Sequence, residues 1–384
     1  MSKSDIIIEN HLPRRVITGR GASLGLVQIC LENNWQRAFV VSDQGVHTAG
    51  LTDRVCQPLQ EASLWAGSFL EVPPEPPFNV VDAIGVQIQR CKADVVIALG
   101  GGSVIDAAKV AALCAYHKKP AIDFSGIGKA GGRGLPTVLI PTTAGTGSEA
   151  TYVAILTDPE SGNKVGVVDP SVLADIAIVD PALTDGLPIS IAAAAGMDAL
   201  VHALEAFIAK VCTPLARGLA LQAAKKIGAS LEGACSHSAS NEERDGMAIG
   251  SHLAGMAFAN SSCCAVHGLA LPLGGRFKIP HGVITGCFVG EVMRHNSSAC
   301  GDDFLLFSQA LGWGGMKPDS FANKLDELAS HLGLVDHLKK VPVGDEMVEV
   351  MAQDAVANRR LMDPNPSDVS VKDAARIYRK VLNL

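Results

Sequence analysis

The stretch GMDALVHALEAF, Gly196 to Phe207, sets an aspartate and a histidine four residues apart among Met197, Leu200, Val201 and Leu204. On a helix, positions i and i+4 project to the same side, so Asp198 and His202 would share an apolar setting in which neither is stable without a partner. Two arrangements answer that need: a hydrogen-bonded Asp/His pair, or a metal ion held by both. Downstream, CCAVHGLALPLGGRFKIPHG adds His267 and His281, fourteen residues apart. One carboxylate with three imidazoles is a mixed oxygen and nitrogen set suited to iron(II) or zinc(II). Each histidine alone reads as an ordinary core or surface residue; the four together carry the case.

Two further stretches could bind phosphate. DVVIALGGGSVIDAAK runs from a strand through Gly100, Gly101 and Gly102 to Ser103 and a helix starting near Val104. Glycines let the backbone approach a phosphate, and a helix N-terminus offers free N–H groups and the positive end of the helix dipole. Close backbone packing is the competing explanation, because the pattern is not GxGxxG. PTTAGTGSEAT follows the next clear strand and supplies the hydroxyls of Thr142, Thr143, Thr146 and Ser148. Two such loops at the C-terminal ends of strands would meet on the ligand edge of one sheet. Asp43, ending the strand RAFVVSD, stands where a carboxylate could bond a ribose hydroxyl and repel a 2′-phosphate.

The elements that must hold these residues alternate at first between strand and helix. RAFVVSD, DVVIALG, PTVLIP, YVAILTD and DIAIVD are near-continuous apolar runs, as expected of strands buried on both faces of a parallel sheet. Helical stretches such as PFNVVDAIGVQIQRC and VIDAAKVAALCAYH lie between them, the rhythm of βαβ units. After DPALTDGLP the strand signals stop and Ala/Leu-rich helical patterns follow. The sequence therefore predicts an α/β dinucleotide-binding domain over residues 1–185 and an all-helical metal-binding domain over 186–384, with the ligand cleft between them.

The 384 residues are 48% hydrophobic and 18% charged, enough for two cores. A net charge of -7 without long runs of one sign leaves no electrostatic footprint for nucleic acid or an anionic membrane. The apolar run in MSKSDIIIENHLPRRV is too short for the core of a signal peptide, and no stretch has the uninterrupted apolar length of a membrane span. Ten cysteines without a CxxC pair suit reduced thiols. A cytoplasmic protein acting on small molecules is expected.

Over essentially its whole length the chain resembles the iron-containing (group III) alcohol dehydrogenases, through GGGSVIDAAK, PTTAGTGSE, GMDALVHALEAF and VHGLALPLGGRFKIPHG, in that order and with similar spacing. The resemblance implies the fold that this family shares with dehydroquinate synthase. It implies that Asp198, His202, His267 and His281 hold the metal, iron(II) with zinc(II) as the alternative. It implies that Gly100, Gly101, Gly102, Ser103 and Asp106 in one loop, and Thr142, Thr143, Thr146 and Ser148 in the other, bind NAD, with Lys164 near its ribose. The activity implied is hydride transfer between NAD(H) and a small alcohol or aldehyde in a homodimer or larger homo-oligomer, the metal acting as a Lewis acid on the alcohol oxygen. A glycerol dehydrogenase-like or dehydroquinate synthase-like enzyme, or a non-catalytic metal or nucleotide binder, is the alternative. Two positions depart from the family pattern: Leu271 replaces a histidine four residues after His267, and Glu75 in PPEPPF replaces an asparagine.

Overall fold

The computed structural model describes residues 7–160, 162–339 and 341–384. Ile6, the first residue of the N-terminal apolar triplet, lies outside them, while Ile7 and Ile8 are exposed. Nine strands occur among the described residues: β1 (Arg15–Thr18), β2 (Ala38–Val41), β3 (Trp65–Phe69), β4 (Val95–Gly100), β5 (Gly126–Ile127), β6 (Thr137–Pro141), β7 (Val153–Thr157), β8 (Lys164–Val168) and β9 (Ile176–Val179). Six of them form a parallel sheet in the order β1-β9-β6-β4-β2-β3.

Continuous apolar runs were expected from burial on both faces, and the packing gives the reason. In β4, Val95, Ile97 and Leu99 enter one core while Val96 and Ala98 enter the other. Successive side chains of a strand point to opposite faces, so a strand covered on both sides has no polar face. Helices α1 (Leu26–Glu32), α2 (Gln44–Thr48), α3 (Leu51–Glu61), α4 (Phe78–Arg90) and α5 (Gly102–His117) accompany the sheet. Strand order reverses between β2 and β4, which brings the loop after β2 beside the loop after β4, at the position where open α/β sheets bind ligands.

One strand expectation is corrected. YVAILTD does not join the parallel sheet: β7 pairs antiparallel with β8 in a separate three-stranded sheet ordered β5-β8-β7. Its side chains alternate between half-buried and buried, so one face stays partly open to solvent. The apolar run gave no sign of its partner, because β8 (KVGVV) is short and starts with a lysine.

From α6 (Ile189–Ile208) onward the described residues are helical: α7 (Pro214–Ala234), α8 (Asn241–Ala259), α9 (Ala265–Phe277), α10 (His281–Ala310) and shorter helices up to Leu382. By length and composition α6 is apolar enough to cross a membrane, but it is mostly buried within the protein. Its Met197, Leu200, Val201 and Leu204 belong to the helical core. Glu149, just past the second glycine loop, accepts from His252 Nδ1 of α8 through Oε1 at 2.8 Å, both side chains being buried. This contact fastens the α/β region to the helices.

Candidate active site

The two glycine loops meet directly. A Cβ on Gly102 would stand 2.8 Å from the Thr146 methyl carbon, so the glycine is needed for one loop to lie against the other. Gly101 caps α5 and its backbone leads into the free N–H groups of the first turn. Gly101, Gly102, Ser103, Thr143 and Thr146 are half-buried, and Gly100, Thr142 and Ser148 are buried. Close packing and an open helix N-terminus therefore coexist at this turn.

Several of the expected cofactor residues are engaged inside the protein. Ser148 Oγ donates to Asp106 Oδ1 at 2.5 Å, and Asp106 Oδ2 accepts from the Ile155 backbone at 2.8 Å. Thr142 N bonds the Gly100 carbonyl, tying the loops together. Asp43 caps α2, its Oδ1 accepting from Val46 N at 2.9 Å. Ser103 Oγ accepts from Glu75 N at 3.2 Å, and Lys164 Nζ pairs with the Glu75 carboxylate at 2.8 Å. Lys109 was not anticipated from sequence. Its fully buried Nζ faces five acceptors on Ser148, Thr151 and Val153, and burial pushes this ammonium down to about 8 against the pull of Asp106 and Glu149.

On the helical side, α6, α9 and α10 bring the four candidate ligands together. Asp198 Oδ1 lies 3.8 Å from His267 Nε2 and 3.9 Å from His281 Nε2, and Asp198 Oδ2 lies 3.9 Å from His202 Nδ1. His281 is the first residue of α10, and the glycine after it lets α10 press against α6: a Cβ on Gly282 would stand 2.0 Å from the Ala194 carbonyl oxygen. Thr285 Oγ1 donates to Asp198 Oδ1 at 3.0 Å. Burial works against the ionised Asp198 carboxyl, yet His202, His281 and His267 hold it below its ordinary range. Burial pushes the His202 imidazole down to about 3 against the pull of the Asp198 carboxylate. The ring stacks between Phe258 and His267, with centroids 4.4 and 4.6 Å away.

The decisive residue missing from the sequence reading is Glu205. It is fully buried and accepts from Val266 N at 2.7 Å, Cys264 N at 2.9 Å and His267 Nδ1 at 2.6 Å. Since the carboxylate accepts, His267 carries its proton on Nδ1 and turns Nε2 toward Asp198. That Nε2 is buried and has no hydrogen-bond partner among the described residues. A buried ring nitrogen left without a partner between a carboxylate and two further imidazoles fits a cation, because such an atom otherwise carries a desolvation cost without return. The signal was present in sequence: Asp198, His202 and Glu205 follow i, i+4, i+7 along the buried stripe of one helix.

Family models match both halves of the chain: iron-containing alcohol dehydrogenase over residues 13–181, and the C-terminal part of that family over 192–382. The chain belongs to the iron-containing alcohol dehydrogenase family. Long-chain-alcohol dehydrogenase 1 of Geobacillus thermodenitrificans is 34% identical, with 88% of each chain covered. The NAD-dependent methanol dehydrogenase of Bacillus methanolicus is 31% identical over 97% of this chain and 99% of its own length. Among solved structures, 1,3-propanediol oxidoreductase is 30% identical and covers 98% of this chain and 100% of its own, with a TM-score of 0.91. The protein is an alcohol and aldehyde oxidoreductase of this iron-containing class.

In this alcohol dehydrogenase Glu205 should matter through His267. Glu205→Gln places an amide where three N–H groups donate, so His267 loses its fixed tautomer. Metal affinity is expected to fall about 10–100-fold, the usual cost of disturbing a partner behind a ligand. Competition titration with a chromophoric chelator reads the change, and an unaltered affinity would reduce Glu205 to a brace for residues 264–266.

Proposed function

We propose that the protein transfers a hydride between NAD(H) and a small uncharged alcohol or aldehyde, with iron(II), or alternatively zinc(II), held by Asp198, His202, His267 and His281. The observation that carries this reading is a contact between its two halves. The Gly145 carbonyl, in the hydroxyl-rich loop assigned to the dinucleotide, lies 3.4 Å from His202 Nδ1, so that loop and the candidate metal pocket share a wall. A bound ion would supply Lewis acidity at the substrate oxygen. The chain's own groups do the rest: the N-terminus of α5 with Gly101 and Gly102 receives the pyrophosphate, Thr143 and Thr146 offer hydroxyls, and Lys164 stands near the ribose. Thr142, Ser148 and Asp106 brace that cradle from inside.

Uncharged substrates are favoured because Arg276 and Lys278, the cations between His267 and His281 in the chain, each have a carboxylate within 4 Å. Arg276 pairs with Asp354 at 2.5 Å, and Lys278 lies 3.7 Å from Glu75. A phosphorylated sugar acid would need such cations free. Leu271, half-buried on α9 one turn beyond His267, adds an apolar wall. An aldehyde panel with NADH and anaerobically iron-reconstituted protein tests the reading. NADH oxidation with small neutral aldehydes is expected; activity confined to carboxylated or phosphorylated ones would overturn the substrate class.

The coenzyme assignment rests on Asp43, whose carboxylate would meet the 2′-phosphate of NADP as a like charge at a cost of about 1–3 kcal/mol. Asp43→Gly is a clean probe, since glycine at an N-cap costs only a few tenths of a kcal/mol. The ratio of kcat/KM for NAD over NADP is expected to fall about tenfold. An unchanged ratio would remove Asp43 from coenzyme choice. Ten free cysteines support a reducing, cytoplasmic setting, and exposed Ile7, Ile8, Leu12 and Val16 around the edge strand β1 support a homo-oligomer, which sedimentation would read directly.

A further inference from the structure

A second set of donor atoms adjoins the first. His202, Cys263 and His267 present ligand atoms that all lie within 4.8 Å of one another, and Asp198, His267 and His281 form an equally close set. The two sets share His267, whose buried Nε2 has no hydrogen-bond partner among the described residues. Donors of one ion, each about 2.0–2.3 Å from it, stand roughly 3–4 Å apart. The sulfur is thus grouped with two of the four candidate ligands, His202 and His267, and His267 links it to Asp198 and His281.

The chain around Cys263 is held firmly enough to make that position meaningful. Ser261 Oγ donates to the Ala206 carbonyl at 2.8 Å, Ser262 Oγ to the Cys263 carbonyl at 2.7 Å, and Cys264 N to Glu205 at 2.9 Å. The segment between α8 and α9 is thus fastened to α6, the helix that bears Asp198 and His202. The two adjacent cysteines have different surroundings. Cys264 is fully buried with its Sγ 3.8 Å from the Glu205 carbonyl, whereas Cys263 is only half-buried beside the imidazoles.

We propose that Cys263 is a fifth donor of this metal site, engaged by thiophilic ions such as zinc(II) and cobalt(II), and that it raises their affinity relative to iron(II). The proposal rests on the reading of Asp198, His202, His267 and His281 as a metal site. Sulfur is the soft member of an otherwise oxygen and nitrogen set, and a soft ligand selects among metals by bonding rather than by charge. On engagement the Cys263 S–H bond breaks, an Sγ–metal bond forms, and the proton passes to solvent; nothing is oxidised or reduced.

X-ray absorption on the zinc-loaded wild-type protein is the test. The expected result is one sulfur scatterer at about 2.3 Å beside nitrogen and oxygen at about 2.0–2.2 Å. In Cys263→Ser the sulfur contribution is lost while the nitrogen and oxygen shell remains, and the zinc to iron affinity ratio in direct competition falls. Cobalt(II) gives a second readout: a sulfur-to-cobalt charge-transfer band in the near ultraviolet, present in wild type and absent in Cys263→Ser. A nitrogen and oxygen shell without sulfur in the wild type would overturn the role of Cys263 and leave the four-ligand site standing. Failure of the wild type to hold zinc, cobalt or iron would instead overturn the metal site itself. The wild-type spectrum decides the matter even if the variant does not fold.

Discussion

Asp198→Ala is expected to strip the metal and to lower kcat/KM by at least about 10³-fold, equivalent to the ~4 kcal/mol or more that a Lewis acid contributes to a transition state. Asp198 faces all three imidazoles within 3.9 Å, so its loss removes the only carboxylate from the set and leaves three neutral or mutually repelling rings. NADH binding, followed by its fluorescence, should be retained, because the loops at 100–103 and 142–148 keep their own contacts. Metal analysis of the purified variant separates the two effects. Full activity in metal-free Asp198→Ala would remove the site from the account.

Lys109→Met is expected to cost about 3–5 kcal/mol of stability, the size found when one partner of a buried charged network is deleted. The ammonium faces Ser148, Thr151 and Val153 at 2.6–3.1 Å, and Asp106 lies 4.0 Å away. Methionine fills the volume but supplies no donor, so several buried oxygens lose a charged donor and the Asp106 carboxylate loses its nearby cation. Because Ser148 ends the loop proposed for the dinucleotide, KM for NADH should rise along with the fall in the urea midpoint. A midpoint within experimental scatter of the wild type would show that the loop is held by its backbone alone.

What could be read from the residues follows from interactions that are local in the chain. Burial on both faces of a sheet leaves a continuous apolar run, so β2, β4, β6 and β9 were legible. A helix puts i and i+4 on one side, so Asp198 and His202 were legible as a pair. Glycine before a helix was legible as a close approach of either backbone or phosphate, and Gly102 against Thr146 is the former while Gly101 and the open α5 N-terminus permit the latter.

Only the tertiary structure decided which distant partner each polar group meets. Asp106 was expected beside the cofactor through the family resemblance, and the folded chain sets its carboxylate against Ser148 and Ile155, residues more than forty positions away. Lys109 carried no signal in the sequence, and burial beneath residues 148–153 makes it a brace. Glu205 is one charged residue in a helix rich in alanine until His267 and the turn at 264–266 fold against it. Cys263 is a small residue in a loop until α6 carries His202 beside it. Residue type and short-range periodicity determine which groups can do chemistry and which face they occupy. Their partners depend on how helices and loops from remote parts of the chain pack, and that depends on side-chain volume and buried hydrogen bonds summed over the whole core.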